Sequence, residues 1–154
     1  DEYGHGTEHS LEVQIPFLQA MFEEVPPIVP VMVSSDPVDT GRRLSQVYET
    51  GDTIIVSSDF THYGASFDYV PFRENIKEKM YELDRKAIDL ILQNDPDGFA
   101  DYVARTGATI CGRAPIIAGL QMVSGSGELL SYYTSGDILG DYSTAVGYAA
   151  IAFY

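Results

Sequence analysis

Apolar positions in this chain follow two spacings, and their order along the sequence predicts helices alternating with strands. Leu11, Ile15, Leu18 and Phe22 recur every three or four residues, so Thr7 reads as the cap of a first helix with those side chains on one face. Pro16 falls inside that stretch and is expected to bend or restart it. The apolar run Ile28 to Val33 predicts a strand, and Pro30 within it argues for an irregular or edge position. Asp36 followed by Pro37 is a cap with a first-turn proline, opening a helix that Gly51 closes. Thr53 to Ser57 is short, β-branched and apolar on both faces, the pattern of a strand covered by helices on both sides.

A long helix is predicted from about Arg73 to Gln93, carrying Ile76, Met80, Leu83, Ala87 and Leu90. Asp95-Pro96 starts another, ended by Gly107, and Pro115 sits in the first turn of a third that runs to Val123. Glu128 to Thr134 and Thr144 to Phe153 read as two closing strands. The Gly/Ser patch at 124–127 is short enough for a turn, and no internal repeat appears, so residues 1–154 are read as a single domain. Strands alternating with helices make α/β layering the expected class.

Composition narrows the function. There are 23 acidic and 9 basic side chains, giving 9 − 23 = −14 with histidine neutral. The densest basic point is Arg42-Arg43, so no Lys/Arg cluster is present to displace phosphate counterions, and an anionic membrane surface repels such a chain. Nucleic acid and membrane are therefore excluded as partners. A hydrophobic fraction of 45% excludes disorder over the whole chain. One cysteine, Cys111, excludes an internal disulfide. The longest apolar run is too short to span a bilayer, and Asp1-Glu2-Tyr3-Gly4 has neither the basic start nor the apolar stretch of a signal peptide, so a soluble, cytoplasmic protein is expected.

Candidate chemistry is confined to few residues: His5, His9, His62, Cys111, Asp59, Glu8 and Glu12. His5 and His9 are four apart, the spacing of a chelating pair on a helix, but Gly4 and Gly6 flank His5 and favour a loop histidine there. Asp59 and His62 lie three apart just beyond the predicted strand at 53–57. That is where open α/β sheets bind ligands, and a carboxylate there can orient an imidazole for acid/base work. A turn aspartate beside a half-exposed histidine is the plain alternative. Cys111 precedes a predicted helix with Arg113 close by, a setting that suits a thiolate, although cysteine also serves as a small buried apolar residue.

Three segments in order carry a resemblance: Thr7-Glu8-His9-Ser10-Leu11-Glu12-Val13-Gln14-Ile15-Pro16-Phe17-Leu18, then Val56-Ser57-Ser58-Asp59-Phe60-Thr61-His62-Tyr63-Gly64, then Thr109-Ile110-Cys111-Gly112-Arg113-Ala114-Pro115-Ile116. Together they resemble the MEMO family over essentially the whole chain. The resemblance implies a fold similar to class III extradiol dioxygenases, a three-layer α/β/α arrangement around a mixed, largely parallel sheet. It also implies a cleft metal held by two histidines and one cysteine. Carried onto this sequence, His9 and Cys111 are metal ligands, His62 is the acid/base residue and Asp59 its neighbour. Imidazole and thiolate suit iron or copper, with zinc also accommodated, rather than magnesium or calcium.

Implied partners are an unknown small molecule and the AMMECR1-like and radical-SAM proteins often encoded beside prokaryotic members. The family's first histidine ligand lies in an upstream His-Ala-Gly-Tyr-like segment that this chain does not contain. The chain is accordingly read as the C-terminal part of a MEMO-like domain, incomplete at its N-terminus, with a third ligand expected upstream and His5 as a stand-in. The functional expectation is a metal-dependent, dioxygenase-like redox enzyme. A peptide-binding adaptor using the same cleft and a thiol hydrolase built on Cys111, His62 and Asp59 are the alternatives.

Overall fold

A computed structural model describes residues 9–154, so the Thr7 cap, Glu8 and the candidate ligand His5 lie outside the described residues. After a 3-10 turn at Glu12–Gln14, helix α1 runs over Ile15–Met21 with Pro16 in its first turn, where a missing N–H costs nothing. Pro16 thus restarts the helix rather than bending it. Helix α2 (Pro37–Ser45) is capped by Asp36, whose carboxylate accepts from the Asp39 amide, and it stops well short of Gly51.

Helices α3 (Ile76–Leu92), α4 (Pro96–Thr106) and α5 (Arg113–Leu120) follow. Asp95 caps α4 through the Gly98 amide, and Gly107 ends it at φ 67°, a left-handed conformation that favours glycine. A short α6 (Ser135–Leu139) is held by a reciprocal capping box between Thr134 and Asp137.

Three strands form the sheet: β1 (His62–Gly64), β2 (Glu128–Thr134) and β3 (Thr144–Ala152). Their order is β1-β3-β2 and both pairings are antiparallel, with Tyr63 opposite Ala145 and Tyr132 opposite Ala149. The core lies between this sheet and α3, α4 and α5, where Ile88 and Phe99 are fully buried and Ile91, Val103 and Ile117 nearly so. Among the described residues one ionisable side chain is fully buried: Asp84 in α3 accepts hydrogen bonds from the Thr61 amide and hydroxyl and from the Tyr132 hydroxyl. Three donors on one carboxylate offset much of the cost of removing it from water.

The chain is mixed α/β, as the alternation of elements implies, but the sheet differs from the expected one. Among the described residues it is small and antiparallel, and the two segments expected to supply parallel strands, 28–33 and 53–57, carry no helix or strand. A strand is defined by its ladder, so apolar, β-branched sequence yields one only where a neighbour lies alongside. The side chains bear this out: Val29 is 84% exposed and Ile55 53%, whereas a strand covered on both faces hides such residues. Ile54 and Val56 line one wall of a groove of about 470 Å³ against Ile116 and Leu120 of α5.

Accessible surface totals 9999 Å², against about 7,700 Å² for a compact monomer of this mass. Phe17, Met21, Val29, Met32, Val47 and Ile55 contribute to it as exposed apolar side chains. No helix among the described residues is long and apolar enough to cross a membrane.

Candidate metal centre

The site is assembled where segment 53–59 runs into β1. Phe60 and Thr61 are buried: the Phe60 amide donates to the Gly147 carbonyl of β3 at 2.9 Å, and Thr61 is held by Asp84 from α3. With those two residues anchored inside, Asp59 and His62 remain half-buried on either side of them. His62 Nε2 lies 3.4 Å from Asp59 Oδ2. The side chains are 22% and 47% exposed, so the contact is wet and contributes orientation more than stability. The Phe67 ring lies 5.0 Å from the His62 ring, centroid to centroid.

Cys111 comes from the loop between α4 and α5, which two hydroxyls tie to the Ser58–His62 segment. Ser58 Oγ accepts from the Gly112 amide at 2.9 Å and donates to the Asp59 carbonyl at 2.8 Å. Gly112 is needed for this close approach, because a Cβ there would run into the Ser58 side chain. The Thr109 hydroxyl accepts from the His62 amide and donates to the His62 carbonyl, both at 2.8 Å. Between these ties the Asp59 amide donates to Cys111 Sγ at 3.2 Å.

One ligand atom each from Asp59, His62 and Cys111 lies within 4.8 Å of the others. Oxygen, nitrogen and sulfur together make a borderline-to-soft donor set, which suits iron(II), copper or zinc and disfavours magnesium and calcium. Three of the residues singled out in the sequence are thus brought together by the fold. His9 stands outside this group: it is exposed on the turn before α1, with Nδ1 3.3 Å from Glu12 Oε2. Gln14 Nε2 donates to Ser57 Oγ at 3.0 Å and joins the turn to the site segment.

Sequence reasoning missed the supports. Ser58 and Thr109 lie inside the quoted segments, but a hydroxyl that bonds distant backbone leaves no spacing to read. Asp84 did leave a signal, since it falls on the same helical row as Met80 and Ile88, an acid on an apolar stripe. Burial raises its carboxyl above the usual range, opposed by the Thr61 and Tyr132 hydrogen bonds. Burial also raises the Tyr132 phenol, as does the neighbouring Asp84.

Comparison with known proteins places these residues in a wider setting. The family model described as "Memo-like protein" matches residues 1–152. A MEMO1 family protein of Desulfurococcus amylolyticus is 40% identical over 164 residues, covering 100% of this chain and 54% of that protein. One from Methanosarcina acetivorans is 41% identical over 162 residues, covering 98% of this chain and 57% of its own length. Another, from Nitrosopumilus maritimus, is 38% identical, with 99% and 55% covered. The chain therefore spans a little over half the length of the curated relatives it matches.

Proposed function

The chain belongs to the Memo-like family, and from that premise we propose that it contributes a transition-metal centre to a redox enzyme acting on a small molecule. The supporting observation is the convergence of Asp59, His62 and Cys111 within 4.8 Å, from segments about fifty residues apart in sequence. Cys111 Sγ is the anchoring ligand, with His62 and Asp59 in ligand reach. The family resemblance adds His9 and a histidine from the part of the family's length that this chain does not cover. Iron or copper fits the donor set, and zinc is accommodated. Such an ion supplies Lewis acidity and, for iron or copper, an electron-transfer route. The chain's own residues position it: Asp59 Oδ2, 3.4 Å from His62 Nε2, orients the imidazole that reaches the ion.

The same reading supports a larger architecture. Segments 28–33 and 53–57 have the two-faced apolar sequence pattern of parallel strands. In the longer polypeptide of the family they join the remaining length to make a three-layer α/β/α domain of dioxygenase-like form. Its work is soluble and cytoplasmic, with the AMMECR1-like and radical-SAM proteins as partners.

A thiol hydrolase built on the same three residues is the weaker reading. Among the described residues the bonds to Cys111 Sγ come from Ser58 and Asp59, and no hydrogen bond joins it to His62. Nucleophilic activation by the imidazole depends on that bond. The adaptor reading rests on the cleft alone, and the net charge of −14 disfavours a phosphorylated peptide.

Elemental analysis of the purified protein beside Cys111→Ser, His62→Ala and His9→Ala is the direct test. Metal should fall in Cys111→Ser and His62→Ala, and the His9→Ala value measures what the turn before α1 adds. Equal metal content in all four proteins would sink the proposal.

A further inference from the structure

We propose that Thr109 is the positioning residue that sets the spacing between His62 and Cys111, an inference that rests on the metal reading above. Residues 109–112 and 58–62 run side by side and are tied at both ends, Gly112 to Ser58 and Thr109 to His62. Cys111 lies inside that frame, facing the Asp59 amide. The Ser58 tie governs the Asp59 end of the frame, and the Thr109 tie governs the His62 end.

Thr109 is suited to the task by its chemistry. A hydroxyl has one proton to give and lone pairs to accept with, so a single oxygen satisfies both backbone groups of His62. The preceding residues are already committed elsewhere: the Phe60 amide and the Thr61 carbonyl bond Gly147 of β3. His62 itself lies in β1 opposite Val146 of β3, and the Thr109 hydroxyl bonds both its amide and its carbonyl, fixing the backbone from which the imidazole projects. Valine has almost the same shape and neither capability, so Thr109→Val removes the tie while keeping the packing. Serine keeps the hydroxyl, so Thr109→Ser is the rescue.

The test uses the full chain, with cobalt(II) as the probe. Apparent affinity and the thiolate-to-cobalt charge-transfer band are read for the wild type, Thr109→Val and Thr109→Ser. Hydrogen exchange of the His62 amide is followed in the metal-free proteins. Loss of a group that orients a ligand typically weakens metal binding about 10- to 100-fold, which is the expectation for Thr109→Val. Thr109→Ser should stay close to wild-type affinity, because its hydroxyl can make both bonds to the His62 backbone. The His62 amide should lose protection in the valine variant, regain it in the serine variant, and leave the β3 amides unaffected.

Wild-type affinity and band in Thr109→Val overturn the positioning role while the metal reading stands. A serine variant as weak as the valine variant overturns it too, because the hydroxyl is then not the active feature. A wild type with no cobalt band sinks the metal reading instead, and exchange at His62 then decides the tie: unchanged protection in Thr109→Val refutes it.

Discussion

Replacing Asp84 by alanine removes the acceptor for three donors, two of which have nowhere else to turn. The Thr61 amide and hydroxyl are fully buried, and each now bonds Asp84 Oδ1. A buried donor left without a partner costs about 1–3 kcal/mol. The Tyr132 hydroxyl, 2.6 Å from Oδ2, belongs to a half-buried residue, so a smaller cost is assigned to its loss. Relief from carrying a buried carboxylate acts in the opposite direction. The net expectation for Asp84→Ala is a loss of about 3–5 kcal/mol, a large share of a typical domain's stability.

Asp84→Asn separates acceptor from charge. Its remaining carbonyl oxygen accepts both Thr61 bonds, its amide can donate to the Tyr132 oxygen, and it should stay within about 1 kcal/mol of wild type. Urea unfolding at neutral pH, with the denaturant dependence checked for constancy, reads both values. Equal damage from the two substitutions, or a cost below about 0.5 kcal/mol for Asp84→Ala, would refute the account of Asp84 as a hydrogen-bond hub.

Two further outcomes concern the same interior. The Asp84 carboxyl is raised in the fold by burial, so the native state binds its proton more tightly than the unfolded chain does. Its contribution is complete below the unfolded value of about 3.9 and declines as pH rises through the folded one. The wild-type-minus-Asp84→Asn stability difference should therefore fall across that window, and a flat difference in urea midpoints against pH would contradict the direction of the shift. Phe99 is fully buried in the core, so Phe99→Ala should cost about 3–5 kcal/mol in the same unfolding assay, and a cost under about 1 kcal/mol would mean that α4 does not pack as described.

Local chemistry marked much of the secondary structure in advance. Asp95-Pro96 and Gly107 bracket α4, the row through Met80, Leu83 and Ala87 marks α3, and β2 and β3 fall where aromatic and β-branched residues collect. Sheet topology was not legible. Nothing in Thr53 to Ser57 encodes whether a partner lies alongside, because ladder bonds come from residues distant in sequence. The site shows the same division. Asp59-to-His62 spacing and the Cys-Gly-Arg segment are readable separately, while their meeting depends on Ser58 and Thr109 bonding backbone some fifty residues away. His9 is exposed on the turn before α1 and lies outside the Asp59–His62–Cys111 group, a placement that the spacing of residues along the chain does not encode.

Segment 53–57 leads without interruption into Asp59, and among the described residues it has no strand beside it. A chain laid along it would fix its dihedral angles, and with them the reach of the Asp59 amide to Cys111 Sγ. Binding equilibria that meet at one segment are reciprocal. Whatever factor a neighbouring strand adds to the affinity for an ion at Asp59 and Cys111, the ion must return to the affinity for that strand. For an ion bound as proposed and a strand paired with 53–57, metal occupancy and the closing of the sheet would be two measures of one equilibrium, and a chelator would loosen the second as it empties the first.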